Sequence, residues 1–286
     1  MFRTGDNEVV VAINAKSGET LWEHAYPEPV WKEFDGFKDV YIAGPVSTPL
    51  VLGDFVFAIG ARTELRCLNK NTGVKVWSHN LWDEFGAPPS ERGYTTSPIA
   101  YKNLLLVPAG GKGHGLIAFD QKTGEVVWAK HDFENRFSSP IIVTIDGQEQ
   151  LIAFVAEKVA GMEPSTGELL WQYPHISQWN VHASTPLWGK DDNILFISCA
   201  YNSGSRAMRV TRKEGQTSAE ELWFTRKARV HHGTTVRLDS LVLCSSGDFG
   251  PAFLMALNAE TGDIIHQMRG FGKANLVLSG LTDKTN

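Results

Sequence analysis

The sequence predicts an all-β protein built from repeated four-stranded antiparallel sheets, and three observations lead to this prediction. A string close to DQKTGEVVW recurs along the chain, at 14–22, 69–77, 120–128 and 163–171, with a degenerate copy at 258–266. The glycine of this string, counting a longer copy at 211–223, returns every 43 to 55 residues. Each interval holds short β-rich runs separated by Gly, Asn, Asp or Lys.

One interval shows what the repeat builds. Residues 96–133 contain four strand-like runs, which are TSPIAYK, NLLLVPAGG, GLIAFD and EVVWAKHDF. Four consecutive short strands form an antiparallel meander, with strands A to D, and such units repeated at this period are blades of a β-propeller. Complete blades are predicted at 47–82, 95–133, 138–174, 184–225 and 233–268. Partial blades are predicted at 8–25, with strands C and D only, and at 274–286, with one strand A, all within one domain over 1–286.

The recurring string predicts the turn between strands C and D. A tight hairpin there needs a positive φ, which glycine adopts without steric cost. The Asp or Asn before the glycine is expected to accept hydrogen bonds from the local backbone. The tryptophan four residues after the glycine is expected to pack against the neighbouring blade. These structural residues are Trp22, Trp77, Trp128, Trp171 and Trp223, with Gly18, Gly73, Gly124, Gly167 and Gly262.

The pattern A-x-[DN]-x-x-[ST]-G-x-x-x-W resembles the tryptophan-docking motif of pyrroloquinoline-quinone-like (quinoprotein-type) β-propellers. The resemblance covers about residues 8–270 and includes the propeller lipoproteins that assist assembly at the bacterial outer membrane. Members of this family usually close with eight blades. The resemblance therefore implies that the chain is a fragment of an eight-bladed ring, which its abrupt ends favour, or that its two ends join into a composite sixth blade.

Composition excludes several classes of protein. The chain has 286 residues, with 27 Lys and Arg against 32 Asp and Glu, so its net charge is −5. Nucleic-acid binding needs a basic surface, and it is not expected here. No apolar run approaches the roughly 20 residues of a transmembrane helix, and the N-terminal residues do not have the pattern of a signal peptide. Cys67, Cys199 and Cys244 are expected to be buried hydrophobic residues rather than disulfide or zinc partners.

Strand order predicts where a binding site lies. All turns between strands C and D fall at one end of the sheets, so the variable loops gather at the other end, called here the loop face. Segments that precede strand A are expected to surround the mouth of a central channel. This mouth is rich in Arg and His and attracts an anionic ligand, unless its residues are merely solvated. The candidate ligand-binding residues are Arg92, Tyr94, Arg136, His182, His231, His232 and Asp248.

Three of these loop residues have alternative interpretations. Adjacent residues on a strand face opposite ways, so His231 and His232 both line the channel only if the loop is irregular. A two-histidine metal site and a purely structural role stay open for this pair, and no metal is expected. Asp248 is either the functional acid at the channel mouth or a carboxylate that only stabilises its turn. Aromatic residues in two longer loops either meet a partner or pack beneath the loops. They are Trp31, Phe34, Trp82 and Phe85.

The resemblance implies two classes of function. The first is a non-catalytic, exported bacterial scaffold of the periplasm that binds protein partners, or a small anion or sugar, through its loop face. The second is a pyrroloquinoline-quinone-dependent dehydrogenase of alcohols or sugars, in which calcium polarises the quinone. Dehydrogenases of the family often have adjacent cysteines and several oxygen ligands for calcium. This chain has no adjacent cysteines and only Glu157 and Asp248 as acids at the predicted mouth. We therefore expect the scaffold, with no cofactor and no catalytic residue; Asp248 is the base only in the alternative.

Overall fold

The computed structural model describes residues 1–29, 44–90, 92–248 and 250–279, and all but two of its regular elements are β-strands. The exceptions are a helix, α1 (Leu81–Phe85), and a single 3₁₀ turn, Gln178–Asn180. The prediction of an all-β fold is confirmed. Trp31 and Phe34 lie outside the described residues.

The strands form six sheets, and in every sheet the hydrogen-bonded neighbours are consecutive in sequence. This is the meander that the repeat predicts. Sheet 1 contains β1 (Phe2–Thr4), β2 (Asn7–Ile13) and β3 (Thr20–Pro27), and sheet 2 contains β4 (Leu50–Leu52), β5 (Phe55–Ile59), β6 (Glu64–Asn69) and β7 (Lys75–Asn80). Sheet 3 contains β8 (Ile99–Tyr101), β9 (Leu104–Gly111), β10 (His114–Asp120) and β11 (Val126–Lys130).

The remaining three sheets have four strands each. Sheet 4 contains β12 (Ile141–Ile145), β13 (Gln148–Val155), β14 (Lys158–Met162) and β15 (Leu169–Pro174). Sheet 5 contains β16 (Leu187–Gly189), β17 (Ile194–Ser198), β18 (Ser205–Lys213) and β19 (Gln216–Thr225). Sheet 6 contains β20 (Val236–Leu238), β21 (Leu241–Ser246), β22 (Ala252–Asn258) and β23 (Ile264–Phe271).

The two ends of the chain depart from the sequence prediction. Residues 8–25 are not the whole of sheet 1, because β1 pairs with β2 in the register Phe2↔Val9 and adds a third strand. A three-residue strand carries too little alternation to be recognised in the sequence. Residues 274–279, for which a strand A is predicted, form no strand. They are held instead by Thr234, whose hydroxyl donates to the carbonyl of Leu276 at 2.9 Å.

The turns between strands C and D have the predicted chemistry. In the turn after β6, Asn69 Oδ1 accepts hydrogen bonds from the backbone N–H groups of Asn71 at 3.0 Å and Thr72 at 3.1 Å. Gly73 has a φ of +70°, which favours glycine. Asn14, Asp120 and Asn258 accept the same pair of bonds in their own turns. The prediction for these turns is confirmed.

Four of the turn glycines contact the tryptophan of the preceding sheet. A Cβ on Gly73 would lie 2.5 Å from Trp22 Cε3, closer than atoms can approach, so only glycine lets the ring pack this tightly. The same contact joins the pairs Trp77–Gly124, Trp128–Gly167 and Trp223–Gly262. Trp171 is also buried, but only Arg212 comes within 4 Å of a Cβ placed on Gly215, so this docking contact is not formed in the same way.

A small residue stands opposite several of these tryptophans within their own sheets. Strand C places Ala12 across from Trp22, Cys67 across from Trp77, and Ala207 across from Trp223. The register shifts by one residue directly after each of these pairs. Such a bulge increases the local twist and turns the following residues into the tight turn. The alanine of the sequence motif therefore leaves room for the indole ring.

The chain divides into two compact units. Unit 1 comprises Met1–Ile142, Gln150–Ala156 and Ala160–Leu170, and unit 2 comprises Val143–Glu149, Glu157–Val159 and Trp171–Asn286. The cores are apolar layers between successive sheets, such as Phe57, Leu65, Leu105 and Phe119 in unit 1. Burial of such side chains provides most of the stabilisation of a domain of this kind. None of the helices in the described ranges is long and apolar enough to span a membrane.

Candidate functional site

The predicted site residues belong to the two different units. Arg92, Tyr94 and Arg136 lie in unit 1, whereas the four others lie in unit 2. In both units they precede a strand A or follow a strand B, so they lie at the end of their own sheets opposite the turns between strands C and D. Each group is described by itself.

In unit 1, Tyr94 is a core residue rather than an open ligand-binding group. It is buried, its hydroxyl donates to the carbonyl of Pro108 at 2.7 Å, and burial raises its pKa. Arg136 Nη2 forms an ion pair with Glu134 Oε1 at 2.5 Å at the edge of a cavity of about 100 Å³. The guanidinium of Arg92 lies 5.9 Å from the centre of the Phe137 ring. Arg136 is therefore balanced by a carboxylate next to it.

In unit 2, the structure brings His231, His232 and Asp248 together around Lys273. Lys273 Nζ lies 3.0 Å from His231 Nδ1 and also donates to the carbonyl of Asp248. His231 Nε2 lies 2.6 Å from the hydroxyl of Tyr201. The two histidine rings are 4.6 Å apart, because the backbone at 231–232 is a bend and not a strand.

Asp248 is held in an ion pair. Its Oδ2 lies 2.8 Å from Arg229 Nη1, and its side chain is mostly buried. The cations Arg229 and Lys273 were not among the predicted site residues. Because Arg229 and Lys273 are both close, the negative charge of Asp248 is balanced within the protein.

His182 lies in a separate, fully buried cluster. Its ring centroid is 6.1 Å from that of His175, whose Nε2 is 3.1 Å from Cys199 Sγ and 3.0 Å from Ser203 Oγ. Burial, followed by the neighbouring His182 and Arg206, lowers the pKa of His175 to about 3. Burial raises the pKa of the Cys199 thiol to about 11. Both groups are therefore neutral near pH 7, which is the opposite of a reactive thiolate–imidazolium pair.

The Ile176–Asn180 loop, between β15 and β16, was missed by the sequence analysis. It presents two exposed apolar side chains, Ile176 at 69% and Trp179 at 61% of their full accessible surface. Trp179 has a φ of +69°, and its ring meets the Tyr201 ring edge-on at 5.0 Å. A positive φ on a bulky residue persists only where its surroundings hold it in place. The string YPHISQWN between two strand-like runs was the available signal.

Hydrogen bonds fix this loop on unit 2. The N–H of Gln178 donates to the carbonyl of Tyr201 at 3.0 Å, and its side-chain oxygen accepts from Asn202 Nδ2 at 2.6 Å. Ser203 Oγ donates to the carbonyl of Ile176 at 3.0 Å. The exposed pair therefore stands on an ordered support rather than on a freely moving segment.

A second feature missed by the sequence analysis is an acidic cavity of about 420 Å³ in unit 1, called here the Glu28 cavity. It opens at the loop face, where β3 ends, β5 turns into β6, and β7 leads into α1. Its lining residues are Pro27, Glu28, Arg62, Glu64, Asn80, Trp82 and Asp83. Of the loop aromatics with two open interpretations, Trp82 lines this cavity, whereas Phe85 packs beneath the loops among His79, His114 and Phe119.

The described residues do not fit a calcium-held quinone. They contain no group of three or more His, Cys, Asp or Glu side chains that could hold a metal ion. Cys67, Cys199 and Cys244 are free and buried. Around Asp248 the neighbours are Arg229 and Lys273, which are cations where calcium requires oxygen ligands. No chemical step through such a group follows from this part of the chain.

The chain was compared with known proteins. The sequence model of the family described as "Outer membrane protein assembly factor BamB" matches residues 6–268. The BamB protein of Shewanella oneidensis is 28% identical over 173 residues, which cover 49% of this chain and 42% of that protein. Quinoprotein alcohol dehydrogenase PedH of Pseudomonas putida is 27% identical over 157 residues, which cover 52% of this chain and 26% of that protein. The matched parts thus span less than half the length of these two relatives.

Among solved structures, BamB from Moraxella catarrhalis superposes with a TM-score of 0.66 at 18% identity. The superposition covers 97% of this chain and 72% of that one. At this identity the likeness concerns the fold alone. Together with the six sheets and the tryptophan–glycine contacts, it shows that the chain has the β-propeller fold with quinoprotein-type repeats.

Proposed function

Since the chain belongs to the family described as outer membrane protein assembly factor BamB, we propose that it is a non-catalytic scaffold that binds a protein partner during outer-membrane protein assembly. This function places it outside the cytoplasm, in the periplasm. The names of the two BamB proteins it resembles support the proposal. The fold by itself carries many functions, so the partner must be recognised by a specific surface.

The observation that carries the proposal is the exposed pair Ile176 and Trp179 on its ordered loop. Large apolar side chains that stay exposed in a fixed conformation mark protein-binding sites. Tryptophan is enriched among the residues that dominate binding energy, and a preformed loop loses little conformational freedom on binding. The surrounding acids and bases are already paired with each other, as Asp248 is with Arg229, which favours a protein partner over a small charged ligand.

Site-specific crosslinking tests this proposal. A photoreactive phenylalanine replaces Trp179 in one variant and Val127 in a control variant, since Val127 is 53% exposed and lies on strand β11 of unit 1. Both variants are expressed in the periplasm of the source bacterium, and crosslinked proteins are identified by mass spectrometry. We expect position 179 to crosslink to a component of outer-membrane protein assembly, and position 127 not to do so. Equal crosslinking at the two positions would contradict the proposal.

The likeness to PedH keeps the quinone-dependent dehydrogenase as the second candidate. Titration of the purified chain with pyrroloquinoline quinone, with and without calcium, separates the two functions. Absorbance of the quinone and fluorescence of the tryptophans report binding. We expect no saturable change. Saturable, calcium-dependent binding would overturn the scaffold proposal and direct attention to Asp248 as the base.

A further inference from the structure

The carboxylate of Glu28 lines the Glu28 cavity and is almost completely buried. Glu28 is only 4% exposed although it lines the cavity. Its Oε1 accepts a hydrogen bond from the backbone N–H of Arg62 at 2.9 Å. Such a deeply placed carboxylate is unfavourable when ionised unless enough donors surround it.

One buried carboxylate oxygen without a hydrogen-bond donor in the described part of the chain lies in the same cavity, on Glu64. Glu64 Oε1 is paired with Arg66 Nη2 at 3.1 Å, but Glu64 Oε2 is buried and has no partner among the described residues. Glu64 is on β6 and Glu28 follows β3, so two different sheets each contribute a carboxylate to one space. The unpaired oxygen of Glu64 marks the place where a donor from a ligand would gain most.

The charge in the lining is unbalanced. Among the described lining residues, Glu28, Glu64 and Asp83 contribute three carboxylates and Arg62 one basic side chain, and Arg66 is paired with Glu64. Behind Glu28 lies Glu8, which is completely buried and accepts hydrogen bonds from the Tyr26 hydroxyl at 3.0 Å and from Arg3 Nη2 at 3.3 Å. The cavity therefore has a negative potential that a cation would neutralise.

Protonation of the carboxylates agrees with this geometry. Burial and then the neighbouring Glu8 raise the pKa of Glu28 to about 7. Burial raises the pKa of Glu64 as well. In both cases burial is the largest cause, so the ionised carboxylates are disfavoured in this environment and a bound cation would favour them.

We propose that the Glu28 cavity binds an ammonium or guanidinium group, with Glu28 and Glu64 accepting its hydrogen bonds. A guanidinium presents several N–H donors in a plane and satisfies two carboxylates at once. The indole of Trp82, which also lines the cavity, offers an aromatic surface on which a guanidinium stacks. The volume of about 420 Å³ is enough for an arginine-sized group. The site is independent of the Ile176–Asn180 loop and of the proposed function.

The test uses two probes that carry the same group. One is agmatine, a free organic cation, and the other is an arginine residue within a short neutral peptide. Isothermal titration calorimetry on the whole chain measures the affinity of each, with a citrulline peptide as the uncharged control. We expect the arginine peptide or agmatine to bind and the citrulline peptide not to bind. The tighter of the two probes then shows whether the group belongs to a small molecule or to a protein segment.

Matched variants make the result specific. Glu28→Gln and Glu64→Gln should each weaken binding roughly tenfold or more, as expected for loss of a charged hydrogen bond. Glu23→Gln makes the same change at an exposed position of β3 and should leave the affinity unchanged. Trp179→Ala should also leave it unchanged, which separates this site from partner binding. Thermal melting of each variant shows that it is folded.

Two results would overturn the proposal. The first is the absence of saturable binding of either probe at concentrations on the order of 10 mM. The second is binding that Glu28→Gln and Glu64→Gln leave as strong as in the parent chain. A pH series adds a further check, because affinity should rise between about pH 5.5 and about pH 8 as the Glu28 carboxyl ionises.

Discussion

Trp77 Nε1 donates a hydrogen bond to the carbonyl of Gln121, 3.1 Å away in the next sheet. Trp22 and Trp223 make the equivalent bond to Lys70 and Ala259, both at 2.8 Å. Each of these acceptors directly follows the Asn or Asp that organises its turn. The indole thus does two things at once: it packs on the turn glycine and satisfies a carbonyl of the same turn.

Replacement of Gly124 by Ala should destabilise the protein more than replacement of Gly18. Both glycines have a positive φ, +78° and +75°, so both variants lose roughly 1 kcal/mol from backbone strain. Only Gly124 is in contact with a tryptophan, because its Cβ would lie 2.7 Å from Trp77 Cδ2, whereas nothing lies within 4 Å at Gly18. The overpacking should cost a further 1–3 kcal/mol or so. Urea unfolding of the two variants measures the difference, and equal midpoints would contradict it.

Trp223→Phe and Trp128→Phe should differ in stability although both rings are buried. Trp223 loses its hydrogen bond to Ala259 and leaves that carbonyl unsatisfied, which costs about 1 kcal/mol. Trp128 Nε1 has no hydrogen-bond partner within the described part of the chain, so its removal relieves an unsatisfied donor. The free energy of unfolding of each variant, from chemical denaturation, is the measurement. A larger loss for Trp128→Phe would show that the indole N–H groups do not matter here.

The contribution of Glu28 to the free energy of unfolding should fall as pH rises from about 4.5 to above 7. Glu28 has a pKa raised to about 7, from 4.5, by burial and then by Glu8, whose own pKa is also raised. A carboxyl whose pKa is raised on folding stabilises the folded state below its unfolded pKa, and this contribution is lost as pH passes the folded pKa. Arg3, Tyr26, Arg62 and Glu64 are the other ionisable groups that face this pair. The change is on the order of 2 kcal/mol.

The variant Glu28→Gln isolates this effect. The amide resembles the protonated acid and still accepts the hydrogen bond from Arg62, so the stability of the variant should depend less on pH than that of the parent chain. Urea denaturation at several pH values measures both, with Glu23→Gln as the exposed control. If the two pH profiles run parallel, Glu28 is not the group that titrates.

Native protein should resist thiol labelling. Burial raises the pKa of Cys67, Cys199 and Cys244 to about 12, 11 and 12, so little thiolate exists near neutral pH. Treatment with a maleimide, followed by mass spectrometry, should label all three thiols only after denaturation. Rapid labelling of Cys199 in the folded protein would instead indicate a thiolate stabilised by His175.

The repeat was predictable because it consists of a short string of residues that recurs along the sequence. Asn69, Gly73 and Trp77 stand at fixed spacing within nine residues, and their turn and docking roles follow from backbone and ring chemistry. The strand β1 was not predictable, because Phe2–Thr4 is too short to show alternation. Trp171 fits the sequence pattern but not the contact, since the β18–β19 hairpin is longer and moves Gly215 out of reach.

The site was less predictable because it depends on contacts between distant residues. The pairing of Asp248 with Arg229, and of His231 with Lys273, joins segments that no short motif relates. Glu8 did leave a signal, because it shares strand parity with Val10, which points into the apolar core. A carboxylate on the buried face of a strand requires partners, and following that signal leads to Tyr26, Ala61 and the Glu28 cavity.

The tryptophan–glycine contacts also bear on how such a chain evolves. Each contact links a sheet only to the one that follows it, as Trp22 does with Gly73 and Trp77 with Gly124. Sheets 2 and 3 each supply a glycine to the contact before them and a tryptophan to the contact after them, so a duplicated sheet of this kind would have a matching partner on each side. Stability then depends mainly on terms between nearest neighbours. Gene duplication can lengthen a chain of this type one sheet at a time without redesign of the existing core.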